Sequence, residues 1–109
     1  MEFTTEKNGE YTIVAVSGRL DATTAEEFEE QAEAWLSSNA TKVVIAMEGV
    51  EYISSAGLRA ILSSAKKLRA QGGDILFCGL EGIVAEVFKM SGFASMFKIF
   101  ATREQAIDS

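Results

Sequence analysis

The sequence predicts an α/β domain built on one mixed, mostly parallel sheet of about five strands, with about four helices and an antiparallel hairpin at its start. Three observations carry this. Short apolar runs alternate with longer amphipathic segments in the order strand, helix, strand, helix, strand, which favours parallel crossovers covered by helices. The runs "VVIAM" and "ILF" are continuously apolar, as strands buried on both faces are. At the N-terminus an Asn-Gly pair, Asn8 and Gly9, divides two β-rich runs, the strongest short hairpin signal.

Each element follows in turn. The first two strands lie within "MEFTTEKNGEYTIVAVSGRLD", joined at Asn8 and Gly9. A helix from about Thr24 to Ser38 gathers Ala25, Phe28, Ala32, Trp35 and Leu36 on one side and Glu26, Glu29, Glu30 and Glu33 on the other. Thr23 with Glu26 fits a capping box at its start. A strand over about Thr41 to Met47 precedes a second helix from about Ser55 to Gln71, whose buried stripe is Leu58, Ile61, Leu62, Ala65 and Leu68. "GDILFCG" is the next strand. A third helix, about Gly82 to Ser91, buries Ile83, Val84, Val87 and Phe88 and stops at Gly92. "SMFKIF" reads as the last strand, and Thr102 with Gln105 caps a short terminal helix. With 109 residues, 48% of them hydrophobic, residues 1–109 form one domain around one core.

Composition removes several function classes. The net charge is −6 and the ten basic residues are scattered, so direct nucleic-acid binding is not expected. No apolar run approaches the roughly 18 residues of a membrane span. The opening "MEFTTEKNGE" lacks the basic and then apolar order of a signal peptide, so a cytoplasmic location is expected. The chain has no histidine, and with it no imidazole to activate a nucleophile or ligate zinc. "AQGGD" and "CGLEGIV" lack phosphate-loop spacing. No metal or cofactor is implied. Cys78, the single cysteine, sits in the apolar run "DILFCG" and reads as an inert core thiol. The five glutamates of "TAEEFEEQAEAW" are explained by a solvated helix face and by the positive end of the helix dipole.

What remains is "EYISSAGLRAIL", where Ser54 and Ser55 stand between the third strand and the second helix, at the carboxyl end of a central parallel strand. Function in open α/β sheets collects on that rim. Local physics also supplies a plain role: one serine caps the helix by accepting from its free amide groups, an interaction worth about 1 kcal/mol.

Three stretches in order, "VSGRLDATTAEEF", "VEYISSAGLRAIL" and "SGFASMFKIFATREQAI", resemble the STAS domain as found in bacterial anti-sigma factor antagonists. The resemblance spans nearly the whole chain and implies a single STAS-type domain. It places the phospho-acceptor at Ser55, two residues before Gly57, with Ser54 as the alternative, and matches Asp21 to an acidic residue beside that loop. It implies a partner-binding surface of Asp21, Ser54, Ser55, Ala56, Gly57, Leu58 and Arg59. Gly57, in a first helical turn, is read as allowing close approach of the partner. The family's usual Asp-Ser-Ser-Gly is altered: Ser54 stands at the aspartate and Ala56 at the second serine. The implied partners are an anti-sigma factor serine kinase, bound when Ser55 is unphosphorylated and released when it is phosphorylated, and a metal-dependent serine phosphatase. The protein would be a switch without catalysis of its own, monomeric when free. The alternative is a STAS subunit that is not phosphorylated, serving a transporter or holding a small ligand.

Overall fold

Alternation of side chains along the central strands decides what each face of the sheet must be covered with. The computed structural model describes residues 1–109, ordered β1 (Glu2–Asn8), β2 (Tyr11–Leu20), α1 (Ala25–Ser37), β3 (Lys42–Ile53), α2 (Ser55–Ala70), β4 (Asp74–Cys78), α3 (Gly82–Met90), α4 (Phe93–Met96), β5 (Lys98–Phe100) and α5 (Arg103–Ile107). The strands pair in the order β1-β2-β3-β4-β5, with β1 antiparallel to β2 and every later pair parallel.

Because consecutive parallel strands are neighbours and crossovers share one hand, the connecting helices fall on one face. There Val14, Val16, Val43, Ile45, Ile75 and Phe77 form one core with Phe28 and Trp35 of α1, Ile61 and Leu68 of α2, and Phe88 of α3. The intervening residues Tyr11, Ile13, Val44, Ala46, Leu76 and Cys78 make a smaller cluster on the other face, closed by Ala106 of α5. The sheet is thus covered on both sides, as its apolar strands require.

Five details depart from expectation. The hairpin turn is Gly9–Glu10, one residue later than predicted, because Asn8 still pairs with Tyr11 and Gly9 takes the positive φ of 62°. β3 runs on to Ile53 rather than ending at Met47: irregular register at Ala15/Ser17 and Gly18/Arg19 lets β2 stay paired with it as far as Leu20↔Ile53. The residues from Ser95 are not all strand. α4 intervenes, making five helices in all, and brings Phe97 onto Phe77 and Phe93 onto Phe88 in edge-to-face contacts with centroids 5.3 and 5.5 Å apart. Ile83 is 57% exposed, since Val84 and Phe88 take the buried stripe of α3 with Val87 half-buried beside them. No Thr23–Glu26 box forms. Thr24 is the N-cap position of α1, and its hydroxyl donates to the Arg19 carbonyl at 2.7 Å instead of capping the helix. At α5 the Thr102 oxygen does accept from Gln105 N, at 3.2 Å, while the Gln105 side chain reaches Ala101 N.

Cys78 is fully buried, and burial first, then the nearby Glu48 charge, pushes its thiol up to about 11. It is protonated and enclosed at neutral pH. A disulfide reagent at pH 7.5 should therefore label it only at the rate of unfolding, with labelling becoming fast across the denaturant transition; rapid reaction in native buffer would contradict this burial.

Candidate functional site

The two serines occupy different places. Ser54 is the N-cap of α2, in extended backbone (φ −99°, ψ 175°), and its hydroxyl accepts from Gly57 N at 3.3 Å. Its own amide donates to the Leu20 carbonyl at 2.9 Å, and its carbonyl accepts from Leu58 N at 3.0 Å. Ser55 is the first residue of the helix; it is exposed, and its hydroxyl has no hydrogen bond within the chain. One hydroxyl is held by the backbone and the other is offered to solvent.

Gly57 faces inward. It is buried, and a Cβ there would stand 2.6 Å from the Leu20 carbonyl oxygen and 2.8 Å from Leu20 Cγ. The glycine is required because the first turn of α2 closes on the end of β2. Leu58 likewise turns partly toward the core. Of the expected surface, Ser55 and Arg59 are exposed, Ser54 and Ala56 half-buried, and Asp21 sits beside the loop because it follows Leu20.

Asp21 is fixed by its own segment. Its Oδ1 accepts from the Thr23 hydroxyl at 2.7 Å and the Thr23 amide at 3.0 Å, while Arg19 Nε lies 3.5 Å from Oδ2. The Thr23 hydroxyl, then its amide, with Arg19 adding less, holds the carboxyl below the usual range. Ionised at neutral pH, with two donors on Oδ1 and Arg19 beside Oδ2, it is a weak base toward any neighbouring hydroxyl. Arg19 also stacks over Tyr52 at 4.4 Å. Arg19 and Tyr52 carry no mark in the sequence, and Thr23 and Thr24 are marked there only as the start of α1. The alternation in "GRLD", which spaces Arg19 and Asp21 two apart on one side of a strand end, was the available signal.

Beside the loop, an open cleft of about 660 Å³ separates α1 from α2, with Ala25 and Glu29 on one wall and Ala56, Arg59, Lys66 and Lys67 on the other. Lys67 bridges it to Glu33 at 3.1 Å. Glu26, Glu27, Glu30 and Glu33 are exposed, as the solvated face predicts, and Glu29 alone is half-buried at the cleft. No group of carboxylate or cysteine side chains is arranged to hold a metal ion, and no helix is long and apolar enough to cross a membrane.

An α/β domain whose last buried-strand residue leads into a capped helix with a free serine in its first turn has a well-populated counterpart. Residues 2–106 match the STAS domain model, and the chain belongs to that family. BtrV of Bordetella bronchiseptica, named as a candidate anti-sigma factor antagonist, is 37% identical over 106 residues, covering 97% of this chain and 91% of its own. A solved candidate anti-sigma factor antagonist of Thermotoga maritima superposes with a TM-score of 0.90 at 20% identity, covering 97% and 92% of the two chains. The Bacillus cell fate determinant SpoIIAA in its phosphorylated form has a TM-score of 0.73 at 24% identity over 98% and 97%. The last two likenesses concern the fold.

Two consequences can be measured by chemical denaturation. Ser54→Ala should lower stability by about 1 kcal/mol, whereas Ser55→Ala should leave it within about 0.5 kcal/mol. Gly57→Val should cost about 1–3 kcal/mol or more through the clash with Leu20, with Gly57→Ala smaller but of the same sign; a Gly57→Val protein as stable as the parent would show that the loop stands clear of β2.

Proposed function

We propose that this protein is an anti-sigma factor antagonist that works as a phosphorylation-regulated binding switch. Unphosphorylated, it binds an anti-sigma factor serine kinase and so withdraws that kinase from its sigma factor, controlling transcription indirectly. The kinase ends the complex by phosphorylating Ser55. A metal-dependent serine phosphatase restores the binding form. The observation that carries this reading is the exposure of the Ser55 hydroxyl in the first turn of α2 while Ser54 is occupied by the cap. The name borne by the 37% identical relative agrees with it.

The chemistry asks little of this chain. The Ser55 oxygen attacks the γ-phosphorus of ATP, the new P–O bond forms as the bond to ADP breaks, and the hydroxyl proton leaves to a base of the kinase. Asp21 is too weak a base for that step, and no histidine is present. The chain's contribution is presentation: Leu20, Gly57 and the Ser54 cap hold the first turn of α2 in one place. A phosphate adds about −1.5 to −2 charge where the positive end of the α2 dipole tolerates an anion, so the fold survives and the partner surface changes sign. The binding surface is Asp21, Ser54, Ser55, Ala56 and Arg59, with Leu58 and Gly57 supporting it from beneath.

The test is direct. With the cognate kinase and ATP, the parent should gain one phosphate at Ser55 by mass spectrometry and Ser55→Ala none, while Ser55→Ala still binds the kinase. Ser55→Asp should melt at the parent's temperature or slightly above it, since an anion at that end gains about 0.3–1 kcal/mol. Its affinity for the kinase should fall at least about tenfold, or about 1.4 kcal/mol. Full phosphorylation of Ser55→Ala would move the acceptor to Ser54. A parent that takes no phosphate yet binds its partner would instead be a STAS subunit without a phosphorylation switch.

A further inference from the structure

The chain has four arginines, and three are engaged by carboxylates at the surface of the fold. Arg19 stands 3.5 Å from Asp21 and over the Tyr52 ring. Arg69 bonds Asp74 at 2.9 Å and the Met96 carbonyl at 3.2 Å, over the ring of Phe97. Arg103 reaches Glu6 at 3.2 Å. Arg59 alone has neither a hydrogen bond nor a carboxylate within ion-pair distance; it is exposed and lines the α1–α2 cleft beside Ala56. The carboxylates that could hold it do other things. Glu33 is taken by Lys67, Asp21 by Thr23 and Arg19, and Glu29 across the cleft lies beyond ion-pair distance.

Arg59 follows Ser55 by four residues on α2, the spacing that brings two side chains onto one helix face with Cβ atoms about 5–6 Å apart. An acidic group four residues before a basic one is also the favourable order. Guanidinium offers a planar fork of donors that fits carboxylate and phosphate equally well in shape. It cannot serve both at once.

We infer that Arg59 is the charge the Ser55 switch acts on: it pairs with a carboxylate of the partner while Ser55 is free, and with the phosphate of its own chain once Ser55 is modified. The inference rests on the proposed phosphorylation of Ser55 and names the partner's chemistry, an acidic side chain facing the start of α2. On this account phosphorylation does more than add negative charge to the interface. It withdraws the single uncommitted guanidinium that an acidic partner would seek, so both changes act in one direction.

The experiment places phosphoserine at position 55 during translation, with no kinase needed, and follows the phosphate by phosphorus NMR against pH. The titratable and charged groups about the site are Arg19 and Asp21 at the end of β2, Glu51 and Tyr52 on β3, Glu29 on α1 and Lys66 on α2, and the phosphorus signal reports the phosphate itself, whose second proton leaves around pH 6. No histidine confuses the curve. A cation beside the dianion lowers that pKa, so Arg59→Ala should raise it by roughly 0.2–0.7 unit, the size of an exposed ion pair, and Arg59→Lys by less. An unchanged value overturns the pairing within the chain. In the second arm, unphosphorylated Arg59→Ala should bind the anti-sigma kinase at least about tenfold more weakly than the parent, with Arg59→Lys between them. Equal binding overturns the pairing with the partner. If the unphosphorylated parent does not bind the kinase at all, that half falls together with the antagonist reading, and the NMR titration still decides the other.

Discussion

The site depends on one residue outside it. Leu20 ends β2 opposite Ile53, is fully buried in the main core, accepts the Ser54 amide on its carbonyl, and leaves room against its backbone only for the hydrogen of Gly57. These contacts fix the exit of β3 and the first turn of α2 as one rigid corner. The cost of moving that corner is the cost of disturbing the core, because Leu20 packs in the same cluster as Phe28, Ile53 and Ile61. A loop held this way presents its side chains without having to order itself on binding, and that removes part of the entropy cost of association.

Within the corner two adjacent hydroxyls divide the work. Ser54 satisfies an amide that the helix start leaves open, which would otherwise fall to solvent or a partner. Ser55, one residue on, inherits the orientation without being tied down. The substitution of serine for the family's aspartate at position 54 keeps the cap, since serine and aspartate cap helices about equally well, while removing a charge from the loop. Structure at this point is therefore insensitive to the substitution, and any effect of it is electrostatic.

Much of this was legible from the chain. The continuous apolar runs Val43–Met47 and Ile75–Phe77 give a sheet buried on both faces, and the amphipathic stripes of α1 and α2 give the cover of one of them, because both patterns are local properties of sequence. The antiparallel start and the parallel remainder follow from Asn8-Gly9 and from the order of strands and helices, while the STAS family was legible only through the resemblance of three stretches. What escaped was tertiary. Glu48, Gly49 and Glu51 break the apolar run and hide the extension of β3, which exists because β2 offers a partner as far as Leu20. α4 is made by the demand of Phe77 and Phe88 for Phe93 and Phe97, not by a helical pattern. Thr23 looked able to cap α1 with Glu26, but Thr24 takes the N-cap position and its hydroxyl is drawn to the Arg19 carbonyl. Gly57 looked outward because nothing in "SSAGL" reveals Leu20 behind it.

The same limit explains why Arg59 is inconspicuous in sequence and plain in structure. Its helical spacing from Ser55 can be read directly, yet that spacing means little while four arginines are equivalent. They become inequivalent only when the fold brings Asp21 to Arg19, Asp74 to Arg69 and Glu6 to Arg103. Exposed pairs of this kind contribute little to stability, typically below about 1 kcal/mol each. Their larger effect is on the surface: each one hides a cation from an approaching acidic partner. In a chain of net charge −6, Arg59 stands with Lys66 and Lys67 on the wall of one cleft, a local positive patch in which Arg59 is the unpaired guanidinium one turn from an exposed hydroxyl. Such a patch steers an acidic partner to a single corner of the molecule, and a modification that neutralises that guanidinium leaves the background charge to repel that partner everywhere else.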